Sequence, residues 1–133
     1  MPIRIDFPGG KKVNARFNGF LVETDQPVSD GGSGVAPTPF DLFLAALGTC
    51  AGVYVLGFCQ QRRLNTAGLE IIQTMKADPH RHLIEEVQLE IILPDDFPEK
   101  YRPAIIQAAQ LCTIKRHLEN PPRFHITTRS PGT

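Results

Sequence analysis

The chain has 133 residues and a mass of 14.7 kDa, a length that fits a single domain over residues 1–133 and excludes two. Apolar residues make up 41% of the sequence and charged residues 21%, which is typical of a globular protein and excludes global disorder. Fourteen basic and fourteen acidic residues give no net charge, so the chain lacks the basic excess that is typical of a nucleic-acid-binding protein. The absence of net charge also means that electrostatic repulsion does not oppose association between copies.

The N-terminal quarter predicts an antiparallel meander followed by a loop. Two segments alternate apolar and polar side chains, as half-buried strands do. Asn18-Gly19, between the second segment and a third, is typical of a tight hairpin turn. The loop is rich in Gly, Pro, Ser and Asp. The predicted strands are residues 3–7, 13–17 and 20–24, and the predicted loop covers residues 25–37.

A long apolar helix is predicted next. Thr38 can cap its N-terminus, Pro39 suits the first helical position, and Asp41 completes a capping box. The side chains of residues 42–59 are apolar with a single polar exception, and the helix is expected to end near residues 60–63.

The apolar run is close to the length of a membrane span and contains Gly48-x-x-x-Gly52, a packing motif of membrane helices. Predicted strands flank the run on both sides, however, and no aromatic belt lies nearby. We therefore expect no membrane partner, but a central helix that is buried on all sides. Gly48 and Gly52 would then allow another helix to approach closely.

Two further strands, a second helix and a last strand complete the predicted order. Residues 69–75 and 87–91 alternate apolar and polar side chains. A helix is expected over residues 99–118, which Pro103 should break or kink early, and a strand is expected over residues 124–128. The order βββ-α-ββ-α-β is dominated by hairpins and predicts an α+β fold with a mainly antiparallel sheet.

The three cysteines are the main chemical candidates. Their number is odd, their spacing contains no CxxC, and the N-terminal sequence lacks the pattern of a secretory signal. We therefore expect a cytoplasmic protein with free thiols. On a continuous helix, Cys50 and Cys59 would lie on opposite faces about 13.5 Å apart, too far for a disulfide. Cys59 is expected to be a small buried side chain.

Packing and chemical roles are both open for Cys50 and Cys112. Small residues surround Cys50, and Cys112 lies on the apolar face of the second predicted helix, so the two thiols can approach each other. Arg116, one helical turn after Cys112, can favour a thiolate. Cys50 lies in mid-helix among apolar residues, where burial raises the pKa of a thiol. Its activation is therefore expected to need a cation from another segment.

The histidines and the remaining acids give weaker signals. His80 and His82 are two residues apart and would share one face of a strand, but no pair of cysteines has zinc-finger spacing. We therefore expect neither a metal nor a cofactor. Asp41, taken by itself, is more typical of a helix cap than of a catalytic acid.

Two segments resemble the sequence signatures of the OsmC/Ohr family. Residues 39–50, PFDLFLAALGTC, are similar to the family's central-helix motif, in which a proline and an acid open the helix and a cysteine ends the motif. Residues 112–118, CTIKRHL, are similar to the family's C-x-V-x-R-x-L stretch. The two motifs occur in the family's order and spacing, and the predicted element order fits the family along nearly the whole chain.

The resemblance implies an OsmC-like fold, in which antiparallel sheets wrap around two central helices in an intertwined homodimer with active sites at the subunit interface. It also implies a cysteine-based peroxidase active in oxidative stress. The thiol of Cys50 would attack the O–O bond of an organic hydroperoxide and become a sulfenic acid, which would condense with Cys112 to a disulfide. An external dithiol would then reduce the disulfide.

The family's supporting charges are only partly matched. Peroxidase branches use an arginine from the N-terminal strands and a glutamate at the start of the central helix. Phe40 stands at the glutamate position, whereas Asp41 matches branches whose acid lies one place later. Because about 13.5 Å of helix separates Asp41 from its own Cys50, Asp41 would act across the dimer. The cations near the arginine position are Lys11, Lys12 and Arg16.

This mismatch supports a second hypothesis. The chain would then be a non-catalytic OsmC-like dimer that binds a small apolar ligand or senses oxidants without turnover.

Overall fold

The computed structural model describes residues 1–132, and these form two antiparallel sheets and three α-helices. This architecture confirms the predicted α+β class. The elements in chain order are β1 (Arg4–Gly9), β2 (Lys12–Phe17), β3 (Phe20–Thr24), α1 (Pro39–Gln61), β4 (Glu70–Asp78), β5 (Leu83–Ile92), α2 (Arg102–Ala109) and α3 (Thr113–Glu119), with short 3-10 helices at Val28–Asp30 and Glu99–Tyr101.

The chain divides into two compact units, Met1–Ala46 and the part from Leu47 onward, with the boundary inside α1. The single domain expected from chain length stays a prediction. In the first unit, β2 pairs with β1 and β3 in the predicted meander. The hairpin turn falls at Asn18 and Gly19, whose φ angles of 49° and 78° are those that a tight turn of this kind requires.

The loop after β3 is organised around one buried carboxylate. Asp25 is 1% exposed, and its Oδ1 accepts a hydrogen bond from the amide of Gln26 at 2.8 Å. Its Oδ2 accepts hydrogen bonds from the amides of Ser33 and Val35, both at 3.2 Å. These amides, that of Gln26 foremost, lower the pKa of Asp25 because they stabilise the ionised form. The loop is therefore ordered by its own polar contacts.

In the second unit, β4 and β5 form an antiparallel hairpin against α1 and α2. Ile71 pairs with Ile91, and Gln73 pairs with Leu89. The core combines side chains of α1 with Phe97 and Ile105 from later in the chain. Leu69, Ile71 and Ile91 of the hairpin region pack against this core. The buried members of this core are Val55, Phe58, Cys59, Phe97 and Ile105. The unit thus places the second half of α1 beside the sheet and beside α2.

Helix α1 is not buried on all sides, contrary to the prediction. Its buried residues are Ala51, Val55, Phe58 and Cys59, which share one face. Val53 is 67% exposed and Leu56 is 41% exposed within a single chain. Among residues 1–132, α1 is the helix with the length and apolar composition of a membrane span, a property that core helices of soluble proteins share.

The predicted continuous helix over residues 99–118 is also wrong. The 3-10 helix Glu99–Tyr101 leads into α2, and α2 ends at Ala109. After it, the amide of Leu111 donates a hydrogen bond to the carbonyl of Ala108 in a tighter turn. Cys112 has a non-helical backbone (φ −48°, ψ 124°), and α3 begins immediately after it. Pro103 lies at the start of α2, where a proline is tolerated, and the helix is divided just before it into the 3-10 turn and α2, as the predicted early break allowed.

The predicted last strand, residues 124–128, is not formed within the described chain. Phe124 is 84% exposed and Ile126 is 92% exposed. The segment has the alternating pattern of a strand, but a strand also needs a hydrogen-bonding neighbour. No strand of the same chain lies beside residues 124–128 in the part that the structure describes.

Candidate thiol site

Cys50 and Cys112 come together where α1 meets the start of α3. Cys50 lies near the middle of α1 and is partly buried, and Cys112 immediately precedes α3. Their side chains are joined by a hydrogen bond, and both thiols are free in this structure. The structure therefore brings together the two cysteines whose proximity the sequence alone had left open.

The pKa of the Cys50 thiol is lowered, chiefly by a hydrogen bond from the backbone amide of Ile114. The side chain of Cys112 and the amide of Thr113 add to the lowering of this pKa, and partial burial opposes it. A thiolate is stabilised by donors that point at it, whether or not these carry a full charge. Cys50 is thus the sulfur poised to ionise.

Backbone amides replace the cation that the sequence led us to expect. A continuous second helix would have used these amides in its own hydrogen bonds, as helix interiors do. Because the chain breaks at Cys112 and restarts at Thr113, the first amides of α3 have no intrahelical acceptor and bond Cys50 instead. The break that the sequence did not predict therefore frees the amides that lower the pKa of the Cys50 thiol.

Cys112 has the opposite character. Its side chain is 4% exposed, and burial is the main cause that raises its pKa. Its hydrogen bond with Cys50 raises this pKa further, because the protonated thiol is the donor in that bond. The pair thus consists of one thiol whose pKa is lowered and a neighbouring thiol whose pKa is raised.

Tyr54 is a site residue that the sequence analysis missed. Its hydroxyl lies 3.1 Å from the hydroxyl of Thr113 and fastens α1, one turn after Cys50, to the first residue of α3. The available signal was the spacing, because residues four apart share a helix face. The contact holds the amides of α3 beside the thiol.

Two of the predicted site residues have other contacts. The side chain of Arg116 is exposed, and it is not among the groups that shift the pKa of either Cys50 or Cys112. Asp41 forms the predicted capping box, since its amide donates to the Thr38 hydroxyl at 3.1 Å and its carboxylate accepts from the Thr38 amide at 3.2 Å. The structure thus gives Asp41 a helix-capping contact.

The remaining candidates lie in structural or surface positions. Cys59 is fully buried in the core, and burial raises the pKa of its thiol, as a packing role predicts. Arg16 forms an exposed ion pair with Asp6 at 2.7 Å. Lys11 in the turn after β1 and Lys12 at the start of β2 are both exposed. His80 and His82 lie in the turn between β4 and β5 rather than on a strand face, and the described residues contain no cluster of three or more metal-ligating side chains.

A cavity of about 640 Å³ borders the site. Cys112 lies in its wall together with side chains of α1, α2, α3 and both strands of the second sheet. Most of the wall is aliphatic, and the charged side chains that line it are Glu90, Arg102 and Lys115. A space of this size and character suits an apolar organic molecule.

The sequence model of the OsmC-like protein family matches residues 31–127, which include both thiols. The chain belongs to the OsmC-like family. The match covers α1 and α3, so the two cysteines and the helix break belong to the part of the chain that defines membership. No protein among the curated proteins matches the chain significantly.

Solved structures share the OsmC-like fold at low sequence identity. A protein described as an osmotic stress induced and detoxification response protein, from Psychrobacter arcticus, is 23% identical with a TM-score of 0.69 over 86% of this chain and 85% of its own. An organic hydroperoxide resistance protein from Vibrio cholerae, with captopril bound in one active site, is 18% identical with a TM-score of 0.53 over 91% and 86% of the two chains. An organic hydroperoxide resistance protein from Legionella pneumophila is 16% identical with a TM-score of 0.52 over 89% of each chain.

Proposed function

We propose that this OsmC-like protein is a thiol-dependent peroxidase that reduces organic hydroperoxides. The observation that carries the proposal is the hydrogen-bonded pair of Cys50 and Cys112, with amides of α3 lowering the pKa of Cys50. Membership of the OsmC-like family and the names of two structural neighbours, both organic hydroperoxide resistance proteins, support the same activity.

The first step is attack on the peroxide. The thiolate of Cys50 bonds to one oxygen of the hydroperoxide, the O–O bond breaks, and the electron pair leaves with the other oxygen, which takes a proton to become an alcohol. Cys50 is oxidised to a sulfenic acid and the hydroperoxide is reduced. The amide donors at Cys50 favour the thiolate form of the reactive sulfur, because they lower its pKa.

The second step uses the neighbouring sulfur. Cys112 attacks the sulfenic sulfur, a disulfide forms, and the hydroxyl leaves as water with the proton of the Cys112 thiol. An external dithiol then restores both thiols by exchange and is itself oxidised to a disulfide. The hydrogen bond between the two side chains supports this step, because it keeps the two sulfurs close to each other.

The proposal also includes a cytoplasmic location and a homodimer. A reducing compartment would supply the dithiol and suits a chain with three free cysteines. A second copy would cover the exposed apolar side chains of α1, such as Val53 and Leu56. In that dimer, Asp41 and Arg116 are the charged residues that we assign to supporting roles, because each lies in a motif that resembles the family's.

Peroxide consumption with matched cysteine variants tests the activity. With cumene hydroperoxide and dithiothreitol, Cys50→Ser is expected to lose turnover completely, because no thiolate remains at that position. Without dithiothreitol, Cys112→Ser is expected to consume one equivalent of hydroperoxide and to stop at the sulfenic acid of Cys50, with no disulfide formed. Cys59→Ala serves as the control, since its thiol lies in the core. Wild-type turnover in both Cys50→Ser and Cys112→Ser would refute the proposal.

The cavity favours one alternative, a protein that binds an apolar ligand without turnover. The same assay separates the two functions. A binder would consume no hydroperoxide, and its cysteines would keep their mass after treatment with one equivalent of the oxidant.

A further inference from the structure

The cavity beside the thiol site gives access to one cysteine of the pair and not to the other. Cys112 lies in its wall, whereas Cys50 is not among the described residues that line it. Cys112 is only 4% exposed, and Cys50 is the more exposed of the two in a single chain. A molecule that occupies the cavity therefore meets Cys112, although solvent exposure alone would favour contact with Cys50.

The two halves of the proposed cycle make different demands on the pair. A hydroperoxide must reach the sulfur of Cys50, whereas the external dithiol must reach one sulfur of the disulfide between Cys50 and Cys112. In thiol–disulfide exchange, a thiolate bonds to one sulfur and expels the other as a thiolate. The two possible attacks thus differ in which cysteine receives the reductant and which one is released.

Leaving-group chemistry selects the same sulfur as the cavity does. Exchange is faster when the expelled thiol has the lower pKa. Amides of Ile114 and Thr113 donate to Cys50 and lower its pKa, whereas burial raises the pKa of Cys112. Expulsion of Cys50 is therefore favoured, and it requires attack on Cys112.

The charges in the cavity wall also suit an attacking thiolate. They are Lys115, Arg102 and Glu90, so cations outnumber acids. Arg102 forms an ion pair with Glu99 at 2.8 Å, and Lys115 lies in the first turn of α3, three residues after Cys112. A nearby ammonium group favours the thiolate form of a thiol, and the thiolate is the form that attacks a disulfide.

We propose that the external dithiol enters this cavity and attacks Cys112, not Cys50, of the oxidised pair. One thiolate of the dithiol bonds to the sulfur of Cys112, the bond between Cys50 and Cys112 breaks, and its electron pair leaves with Cys50. The second thiolate of the reductant then attacks its own sulfur in the mixed disulfide and releases Cys112. The reductant loses two electrons and two protons, and the protons pass to the two cysteines or to water. The inference rests on the proposed function and makes Cys112 the entry point for reducing equivalents.

A monothiol trap locates the attacked sulfur. Cys59→Ala protein is oxidised with diamide to form the disulfide between Cys50 and Cys112, treated with benzyl mercaptan, and quenched with N-ethylmaleimide at the first time points. Peptide mass spectrometry is expected to find the benzyl group on Cys112 and the maleimide on Cys50, in about tenfold excess over the reverse isomer. An excess of the reverse isomer, or an even mixture, would overturn the inference.

A substitution in the cavity wall tests the route. Ile106 lines the cavity and is 53% exposed, so Ile106→Trp narrows the space without altering a buried core residue. Reduction of the oxidised variant by dithiothreitol is expected to slow about tenfold, because exchange depends on access to the attacked sulfur. Single-turnover oxidation by cumene hydroperoxide is expected to keep the wild-type rate. Leu83→Trp, at an exposed position in β5 outside the cavity wall, is the matched control.

The outcomes for this route and for the peroxidase function are separate. Unchanged reduction in Ile106→Trp, or equal slowing of both half-reactions, would overturn the route. Attack on Cys112 in a protein that consumes no hydroperoxide would refute the peroxidase function alone, because diamide forms the disulfide independently of turnover. Diamide treatment that yields no disulfide between Cys50 and Cys112 would overturn both.

Discussion

The role of the α3 amides can be tested by removing one of them. Thr113→Pro deletes the Thr113 amide, and proline is favoured at the first position of a helix. A proline disfavours the helical conformation of the residue before it, and Cys112 already has a non-helical backbone with φ −48° and ψ 124°. The substitution therefore removes a donor to Cys50 while leaving α3 in place.

The size of the effect follows from the lost hydrogen bond. A hydrogen bond to a charged group is worth about 1.5–3 kcal/mol. Cys50 is partly exposed, and Thr113 contributes less than Ile114 to lowering its pKa, so the lower end applies. About 1.5 kcal/mol corresponds to a roughly tenfold smaller thiolate fraction on the rising part of the titration curve.

The assay is the rate at which Cys50 reacts with iodoacetamide as a function of pH, followed by mass spectrometry of its peptide. The midpoint is expected to lie below that of an ordinary thiol in the wild type and to move upward in Thr113→Pro. Thr113→Ala, which loses only the hydroxyl contact with Tyr54, separates the amide from the side chain. An unchanged midpoint in a folded Thr113→Pro protein would refute the assigned cause.

Three further predictions concern stability, each measured by chemical denaturation. Asp25→Asn is expected to flatten the acid side of the profile of unfolding free energy against pH. The lowered pKa of Asp25 contributes stability that is lost as the pH falls through the folded-state pKa of this carboxyl group. Asp30→Asn, at an exposed site, is the control and should leave the acid side of the profile unchanged. Cys59→Ala is expected to lessen the loss of stability at alkaline pH. Burial raises the pKa of the Cys59 thiol in the folded state, so this thiol contributes stability at pH values below its unfolded-state pKa. That contribution is lost as the pH rises through the folded-state pKa. Gly32→Ala is expected to destabilise the chain by about 1–3 kcal/mol, because a Cβ there would meet the backbone of Gln26, and an unchanged midpoint would contradict this packing.

Features fixed by neighbouring residues were predictable from the sequence. The meander, the turn at Asn18-Gly19 and the capping box of Thr38 and Asp41 all depend on side chains within a few positions of each other. The hairpin of β4 and β5 follows from alternation in the same way. Such signals need no knowledge of the rest of the fold.

Features fixed by distant contacts were not predictable. The sequence has neither a glycine nor a proline at the break before Cys112 that would have signalled it. The break is instead stabilised by contacts with α1, including the hydrogen bond between Tyr54 and Thr113. The missing last strand has a strand's sequence pattern but no neighbour in the described chain. Sequence motifs therefore selected Cys50 and Cys112, whereas the donors that distinguish their pKa values required the structure.

The central claim is that Cys50 and Cys112 form a redox pair. The most direct test is mass spectrometry of the reduced protein after one equivalent of cumene hydroperoxide. The account predicts a loss of two hydrogens per chain, located to a disulfide between Cys50 and Cys112 and reversed by a dithiol. An unchanged mass, or a disulfide that involves Cys59, would contradict it.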